Sequence, residues 1–531
     1  MKRIRLTAAL LALLLCSCTE IPADTEITGD AENTTTVTVT EPEADMTKER
    51  WYELSDEGNR YYFSADGDDN ADGKTAETAK KSLSFCDSLT LSPGDRILLR
   101  RGDVWHERLI IRGKGSAEAP VYVGSYGDGG LPAPRISLSC ERDDIAILCE
   151  DPGTGLGHII FDGVTVSDSH QGVYIRSTGG DNGNIAFYNC AFININCPDL
   201  MTEALTDISW LGKPRAGLSG GGAYEYVWPA AVNVGGRPSL PLSSVDLPGK
   251  CAPTTVFSCV TVEDCVFDGC VIAVGANCYN YHYGTGDHQF RAYTKNWRIK
   301  NVVCRNTMTA LNFDSCDFGY DGTGDSEWGV FENIIYDGGM EGFTMAYGTT
   351  AALLSSCQNL YVRNSRFGGC KNGGYPDGCG FDFERDDHNV TLDHCVIDNN
   401  DGQGVLIMDT VMTDQVTGEQ VHTPSTDCVI KNCVFYGNMK NVYNENYNFD
   451  ILVFNRENEG ISVSGCSFYY AEKTSGGASV RINRRGSKDS PAGQITRGVT
   501  LTDNEMHKYE NRADFPAIDT ITAGYLLSSA L

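Results

Sequence analysis

Residues 389–400 read NVTLDHCVIDNN, and this stretch shows the pattern that decides the fold. A short β-branched strand is followed by a turn that contains Asn, Asp or Gly, and then by another short strand. The same form recurs in NIAFYNCAFININ (184–196), NLYVRNSRFGG (359–369), CVIKNCVFYGN (428–438) and ISVSGCSFYYAE (461–472). Strands this short cannot each build a core, but stacked coils of roughly 20 to 40 residues can share one.

The repeats resemble the coils of the parallel β-helix proteins of the pectate-lyase-like superfamily, over about residues 60–510. YYFSADGDDNADGKTAETAKKSLSF (61–85) and SPGDRILLRRGDVW (92–105) are similar to the N-terminal cap of that group, with Ser82–Leu89 as a capping helix. The resemblance implies an all-β, single-domain right-handed parallel β-helix over residues 49–531. It has a cap at about 60–110, coils at about 110–510 and loop insertions. Lyases, hydrolases, epimerases and binding proteins share this fold, so it does not fix an activity.

The N-terminus carries targeting signals. Three basic residues precede the apolar run Leu6–Leu15, which is too short to span a bilayer comfortably. Leu15-Cys16-Ser17 before Cys18 resembles a lipobox, which implies residues 1–18 as a lipoprotein signal peptide and Cys18 as the lipidated residue. The acidic, Thr-rich residues 19–48 are predicted to be a disordered tether. We therefore expect an extracytoplasmic protein, lipid-anchored at the bacterial cell surface.

Charge limits the partners. The chain has 71 acidic and 42 basic residues and a net charge of −29. This charge argues against nucleic acid as a partner and against a bare anionic lipid surface as a binding site. Contact with the membrane is expected only through the lipid anchor, and the protein is expected to be a monomer.

Two sequence features have competing interpretations. Cysteines recur directly after the turn of successive repeats, at Cys190, Cys265, Cys395, Cys433 and Cys466. This favours a ladder of small buried side chains over a disulfide framework. The string DGDDNADG (66–73) matches half of a calcium loop, but Ala79 stands where the bidentate Glu belongs. It is therefore interpreted as a turn that Asp side chains stabilise.

Strand alternation predicts the catalytic residues. If Leu311 and Phe313 point inward, Asp314 points outward; by the same rule Asp382 and Glu384 point outward beside Phe381 and Phe383. The alignment places Thr344 and Ala346 on the coil between them, as a low floor that Asp314 and Glu384 face across. Coils stack at roughly 4.8 Å, so two coils separate these carboxylates by about 10 Å between backbones. This spacing favours the acid and base of an inverting glycosidase over a nucleophile at about 5 Å.

A second group of residues is predicted to bind substrate. Asp386, Asp387 and His388 follow the acidic strand in a turn, and the aligned outward positions of later coils supply the rest: Tyr443, Glu445, Arg481 and Arg484. Aromatic residues in two insertions, at about 200–250 and 278–290, also favour sugar binding.

The sequence supports three functions. A glycoside hydrolase acting on a polysaccharide through paired carboxylates is preferred, and it requires no cofactor. A polysaccharide lyase is the first alternative. Arg481, Arg484 and Arg485, with His388 or Tyr443, are then the candidates for the base and for the group that neutralises a uronate, and calcium is an optional cofactor. A non-catalytic glycan-binding or adhesion protein is the second.

Overall fold

The computed structural model describes residues 54–141, 144–176, 182–196, 229–235, 257–277, 294–339, 349–372, 378–413, 420–441, 449–454, 458–471, 482–485 and 499–517. The predicted signal peptide, Cys18 and the tether lie outside these ranges. No helix in the described ranges is long and apolar enough to cross a membrane.

The strands pair in parallel and form three columns, because each coil of chain lays one strand or half-strand on the preceding coil. Column 1 comprises β4 (Leu109–Ile111), β7 (Ile145–Glu150), β10 (Gln171–Arg176), β13 (Ala230–Gly235), β15 (Ile272–Asn277), β17 (Thr309–Asp317), the first half of β19 (Ala352–Arg363), β21 (Phe381–Arg385), β24 (Val405–Ile407), β29 (Ile451–Phe454) and β32 (Ile482–Arg485). Column 2 comprises β1 (Arg60–Phe63), β2 (Arg96–Arg100), β5 (Val121–Tyr126), β8 (Gly157–Asp162), β11 (Gly183–Tyr188), the first halves of β14 (Phe257–Asp268), β16 (Thr294–Arg305) and β18 (Val330–Asp337), the second half of β19, β22 (His388–Asp393), β27 (Val429–Lys431), β30 (Ile461–Ser464) and β33 (Val499–Thr502). Column 3 comprises β3 (Val104–Trp105), β6 (Arg135–Ser137), β9 (Thr165–Ser169), β12 (Ala191–Ile195), the second halves of β14, β16 and β18, β20 (Arg366–Gly368), β23 (Val396–Asp398), β28 (Val434–Tyr436), β31 (Ser467–Ala471) and β34 (Glu505–Tyr509). This pairing confirms the predicted all-β class and the stacking of successive repeats.

Single residues with positive φ form the corners on both sides of column 2. In the stretch that opened the sequence analysis, Asn389, His394 and Asn399 have φ of 53°, 51° and 54° and bracket two four-residue segments. Asn, Asp, His and Gly are the residues that enter this left-handed region most readily. The spacing of five residues recurs at Asn184, Asn189 and Asn194, at Asn296, Asn301 and Asn306, at Asn359, Asn364 and Gly369, and at Asp427, Asn432 and Gly437. A residue that readily adopts positive φ, Asn, Asp, His or Gly, at every fifth position is therefore what turns the chain from column to column.

Side chains at these corners also tie the coils together. Asn301 donates a hydrogen bond to Asp264 on the preceding coil at 2.9 Å, and Asn333 donates to Asn301 at 3.0 Å. Inward-facing residues of all three columns form one continuous apolar core, in which Phe381 and Phe383 are fully buried as predicted.

The described cysteines are all free thiols, and they include the five that were predicted to form a ladder. Those five are buried, and Cys433 and Cys466 stack so closely that the Cys433 N–H points to the Cys466 sulfur at 3.4 Å. The core-ladder interpretation is confirmed for this part of the chain.

The predicted N-terminal capping helix is not supported. Leu83–Ser88 forms a short 3-10 helix, whose Leu83 and Cys86 are buried against the first coils. The Asp-rich string before it is a set of side-chain-stabilised turns: Asp68 accepts from the Asn70 N–H at 2.9 Å, and Asp72 accepts from the Lys74 N–H at 3.0 Å.

A single antiparallel hairpin interrupts the coils that the structure describes. β25 (Asp409–Thr413) pairs with β26 (Gln420–Pro424) directly after the column 1 strand Val405–Ile407. The hairpin returns the chain to the corner beside His388, because Thr426 pairs with His388 on the preceding coil.

Candidate functional site

Column 1 differs from the other columns in how its strands are joined. The long segments 197–228, 236–256, 278–293, 340–348, 472–481 and 486–498 each directly precede or follow a column 1 strand. By contrast, single residues join column 2 to column 3 in most coils. Since long connections on a solenoid gather on one side and carry binding, column 1 is the face on which to look for a site.

The register of column 1 corrects the predicted floor. The strand between β17 and β21 is the first half of β19, with Ala352 paired to both Leu311 and Phe381. The floor positions therefore belong to Leu353 and Ser355, not to Thr344 and Ala346, which lie outside the described residues. In the sequence, residues 343–346 and residues 352–355 both alternate like a column 1 strand. The lengths of the coils vary, so the sequence does not show which of the two continues the repeat.

A bulge also changes what faces Asp314. Between Leu354 and Ser355 the register shifts, so that Ser355 pairs with Arg385 and not with Glu384. Asp314 pairs with Ser355 from the other side. The prediction that Asp314 faces Glu384 is therefore wrong. The register is displaced by one residue, and the guanidinium of Arg385 occupies the facing position.

Asp314 and Arg385 form a buried ion pair across two coils. Arg385 Nη2 lies 3.5 Å from Asp314 Oδ2, and the two residues are 3% and 8% exposed. The Ser315 hydroxyl donates to Asp314 Oδ1 at 2.7 Å. Burial raises the pKa of Asp314 above its usual value, against the lowering effects of Arg385 and Ser315, and the nearby Asp386 charge adds to the rise. Asp314 is thus a carboxyl that keeps its proton to higher pH, held beside a cation that can stabilise its ionised form.

The two predicted catalytic residues of β21 have different environments. Asp382 is 2% exposed and lies in register between Leu353 and Leu406. Glu384 is half-buried at the bulge. Both belong to the outward side of column 1, but only Glu384 is exposed enough to contact a bound molecule in this conformation.

The turn after β21 brings together an Asp–His–Thr chain. His388 Nε2 lies 2.9 Å from Asp386 Oδ1, and His388 Nδ1 lies 2.8 Å from the Thr426 hydroxyl. The hairpin supports this turn, because the Asp386 N–H donates to the Thr423 carbonyl at 2.9 Å. Asp386 and His388, predicted to bind substrate, are therefore fixed at the end of column 1 where Asp314 also lies.

Asp387 does not face a substrate. It is completely buried, and its Oδ1 accepts from the Cys357 N–H at 2.9 Å. Asparagines do the same work at comparable corners: Asn400 accepts from the Cys370 N–H at 2.9 Å and donates to the Phe367 carbonyl at 3.2 Å. Asp387 thus belongs to an internal ladder, and burial raises its pKa well above the usual value. Its predicted substrate-binding role is corrected to a structural one.

The side chains of the remaining predicted residues are not among those that the structure describes. Tyr443, Glu445 and Arg481 lie outside the described residues, as do the aromatic insertions. Arg484 is described only as a backbone position of β32, where it pairs with Val453. No group of three or more His, Cys, Asp or Glu side chains that could hold a metal ion occurs in the described ranges.

Sequence reasoning missed Arg385, Ser315 and Thr426. Arg385 follows the acidic strand directly, but alternation alone assigns it to the inward side, and only the bulge turns it toward Asp314. Thr426 is separated from His388 by the hairpin, so no local pattern could pair them.

Comparison with known proteins gives structural likenesses only. No family model and no curated protein matches the chain. It is similar to a GH136 lacto-N-biosidase from Eubacterium ramulus, with 14% identity over 85% of this chain and 68% of that chain and a TM-score of 0.49. It is also similar to a rhamnogalacturonan lyase, with 11% identity over 72% of this chain and 84% of that one and a TM-score of 0.41. The A-module of a mannuronan C-5 epimerase from Azotobacter vinelandii has 13% identity over 77% and 90%, with a TM-score of 0.34. All three are named for reactions of carbohydrates, and at this distance the activity of the chain must be argued from its own residues.

Proposed function

We propose that this chain is a carbohydrate-active enzyme that hydrolyses a glycosidic bond, with Asp314 as the general acid. The observation that carries the proposal is the buried Asp314–Arg385 pair, in which burial raises the pKa of the acid. A general acid must hold a proton near neutral pH, and a carboxyl group does so only when its surroundings raise its pKa. Arg385 then stabilises the carboxylate that remains after the proton has moved to the leaving oxygen.

Asp386 is the preferred base. Its charge acts on Asp314, it is half-buried, and His388 fixes its orientation through the 2.9 Å contact. The corner residues Ser315, Ser356 and Asp386 have φ of 59°, 55° and 52° on successive coils, so Asp386 lies two coils from the corner beside Asp314. Two coils correspond to about 10 Å between backbones, and leaning side chains can reduce this to the 6.5–9.5 Å of inverting enzymes.

The proposed reaction uses side chains and water alone. Asp314 gives its proton to the glycosidic oxygen as the bond to the anomeric carbon breaks. Asp386 takes a proton from the water that attacks that carbon from the opposite face. Glu384 is the second candidate for the base, and Asp382 is given no role in the reaction because it is buried.

The test is a panel of polysaccharides incubated with the full chain and with Asp314→Asn. New reducing ends without ultraviolet absorbance from unsaturated products, lost in Asp314→Asn, are the expected result. Ultraviolet absorbance that a chelator abolishes would show that the chain cleaves its substrate by elimination and not by hydrolysis. Binding without either product would make the chain a glycan-binding protein.

We also propose that Cys18 anchors the protein to the membrane by its lipid, with residues 19–48 as a tether. Cells that express the chain should incorporate a labelled fatty acid into it and retain it in the membrane fraction. Cys18→Ser should abolish both. Labelling that survives this change would contradict the assignment.

A further inference from the structure

A cluster of charges lies at the opposite end of column 1 from Asp314. Lys371, Asp401 and Lys440 occupy the same position on three consecutive coils, just before the chain enters column 1. The register follows from the backbone: Asp401 N–H donates to the Cys370 carbonyl at 2.9 Å, and Lys440 N–H donates to the Asn400 carbonyl at 3.0 Å. In a parallel ladder these bonds align each donor with the residue after its acceptor, so a carboxylate lies between two lysines.

A third cation reaches this position from the C-terminal segment. Arg512 begins the 3-10 helix Arg512–Asp514, and its Nη1 donates to the Asn438 carbonyl at 3.4 Å. Its guanidinium lies directly over Gly437, where a Cβ atom would come within 2.8 Å of Nη2. The segment is held there by the Tyr436 hydroxyl, which donates to the Pro516 carbonyl at 2.8 Å.

The three cations outnumber the acids near them: Asp401 lies between the lysines, and Asp450, whose pKa burial raises to about 7, acts on Arg512. Asp401 is 8% exposed and Oδ2 of its carboxylate accepts from the Asn372 N–H at 3.3 Å, whereas Lys371 and Lys440 are exposed. Partial desolvation of Lys440 and the charges of Lys371 and Arg512 lower the pKa of Lys440 although Asp401 acts to raise it, so these cations repel one another. Arg512 Nη2 is buried and has no hydrogen-bond partner among the described residues. An anion held between the three cations would relieve the repulsion and supply that missing acceptor.

We propose that Lys371, Lys440 and Arg512 form a subsite for an anionic group of the bound glycan, a carboxylate or a sulfate. The proposal rests on the proposed function, since it assigns a substrate class to the same face. The column 1 strand starts at Val405, four positions after Asp401, which is about 13 Å of extended chain. A glycan that crosses column 1 can therefore reach both this subsite and Asp314.

Binding is measured in the Asp314→Asn background, so that turnover does not interfere. The probes are polygalacturonate, its carboxyl-reduced neutral counterpart and dextran sulfate, each titrated at low and at physiological salt. We expect at least tenfold tighter binding of one or both anionic probes than of the neutral one, weakening as salt is added. Polygalacturonate alone would identify a carboxylate subsite, dextran sulfate alone a sulfate subsite, and both a subsite that recognises charge.

A matched pair of double variants locates the subsite. Lys371→Gln/Lys440→Gln should lose about tenfold or more in affinity for the anionic probe and none for the neutral one. Lys300→Gln/Lys431→Gln removes the same charge from column 2, where each lysine lies beside a carboxylate, and should lose less than threefold. Arg512→Gln should reproduce the loss in part, and thermal unfolding checks that each variant is folded.

Three results would overturn the subsite: no preference for an anionic probe, equal losses in the two double variants, or an equal loss for the neutral probe. Each is separate from the proposed reaction. Hydrolysis of neutral glycans by the wild-type chain, unaffected by the lysine variants, would keep the enzyme and reject the subsite. Charge-selective binding without hydrolysis would keep the subsite and reject the enzyme.

Discussion

Two carboxylate–arginine pairs on neighbouring columns have opposite protonation behaviour. On column 2, Arg363 Nη2 lies 3.2 Å from Glu332 Oε2, and Lys300 Nζ lies 3.5 Å from the same oxygen. Burial acts to raise the pKa of Glu332, but Arg363 and Lys300 together lower it below its usual value. On column 1, burial raises the pKa of Asp314 although Arg385 is beside it.

The difference lies in the surroundings, since both pairs join a carboxylate to an arginine. The Glu332 side chain is 15% exposed and has two cations, one of them on a 36% exposed arginine. The Asp314 side chain is 12% exposed, and its arginine is 3% exposed. Glu332 has its cations near water, where pairing dominates. Asp314 and Arg385 are both buried, and there desolvation dominates.

The largest expected effect concerns the two carboxylates. Asp314→Asn should lower the rate of glycan hydrolysis by at least about 100-fold, because a general acid contributes that much or more. Glu332→Gln, the matched change on column 2, should stay within about twofold. The measurement is the release of reducing ends at pH 7. Equal losses in both variants would show that the columns do not differ in function.

Substitution of Arg385 on column 1 and of Arg363 on column 2 should affect the pH dependence of the reaction differently. Arg385→Gln removes the cation that lowers the pKa of Asp314, so the acid should keep its proton to higher pH. The alkaline limb of the pH–rate profile should therefore move to higher pH. Arg363→Gln should leave that limb in place. A downward shift in Arg385→Gln would show that Arg385 does not act on the acid.

Substitution of a corner residue beside column 2 should change the stability of the protein and not its activity. Asn301 has φ of 53° and donates to Asp264. Asn301→Ala should lower the free energy of unfolding by about 1–2 kcal/mol, because alanine pays the left-handed penalty that Asn largely avoids. Asn301→Gly should cost less, since glycine adopts the positive φ freely and only the two side-chain hydrogen bonds, with Asp264 and Asn333, are lost. Chemical denaturation measures both, and an unchanged alanine variant would contradict the role of the corner.

The sequence predicts the core residues of column 1 but not its register. Alternation correctly assigned Phe381 and Phe383 to the core, because the two-residue period of a strand does not depend on which coils it stacks against. It could not tell whether 343–346 or 352–355 continues column 1, since insertions hide the coil length. Nor could it locate the bulge at Ser355, which exchanges Glu384 for Arg385 opposite Asp314 and turns a carboxylate pair into an ion pair.

The smallest expected effect concerns Asp387, the buried acid of the inner ladder. Its pKa is raised well above the unfolded value, so the folded chain keeps a proton that the unfolded chain releases above pH of about 4. Its contribution to stability is therefore present at low pH and is lost as pH rises toward the folded pKa. Asp387→Asn should remove this loss and add about 1 kcal/mol near neutral pH, where the amide can donate as Asn400 does. Urea unfolding at pH 5 and pH 8 checks it, and a variant less stable than wild type at pH 8 would contradict the ladder role.

The central claim is that Asp314 holds its proton to a higher pH than an ordinary aspartic acid does. Infrared difference spectroscopy between the wild-type chain and Asp314→Asn isolates the protonated carboxyl band of this residue during a pH titration. The account predicts a band that persists clearly above pH of about 4, the ordinary value for aspartic acid. A band that has vanished by that pH would show an ionised Asp314 paired with Arg385, like Glu332 on column 2, and would remove the general acid from the mechanism.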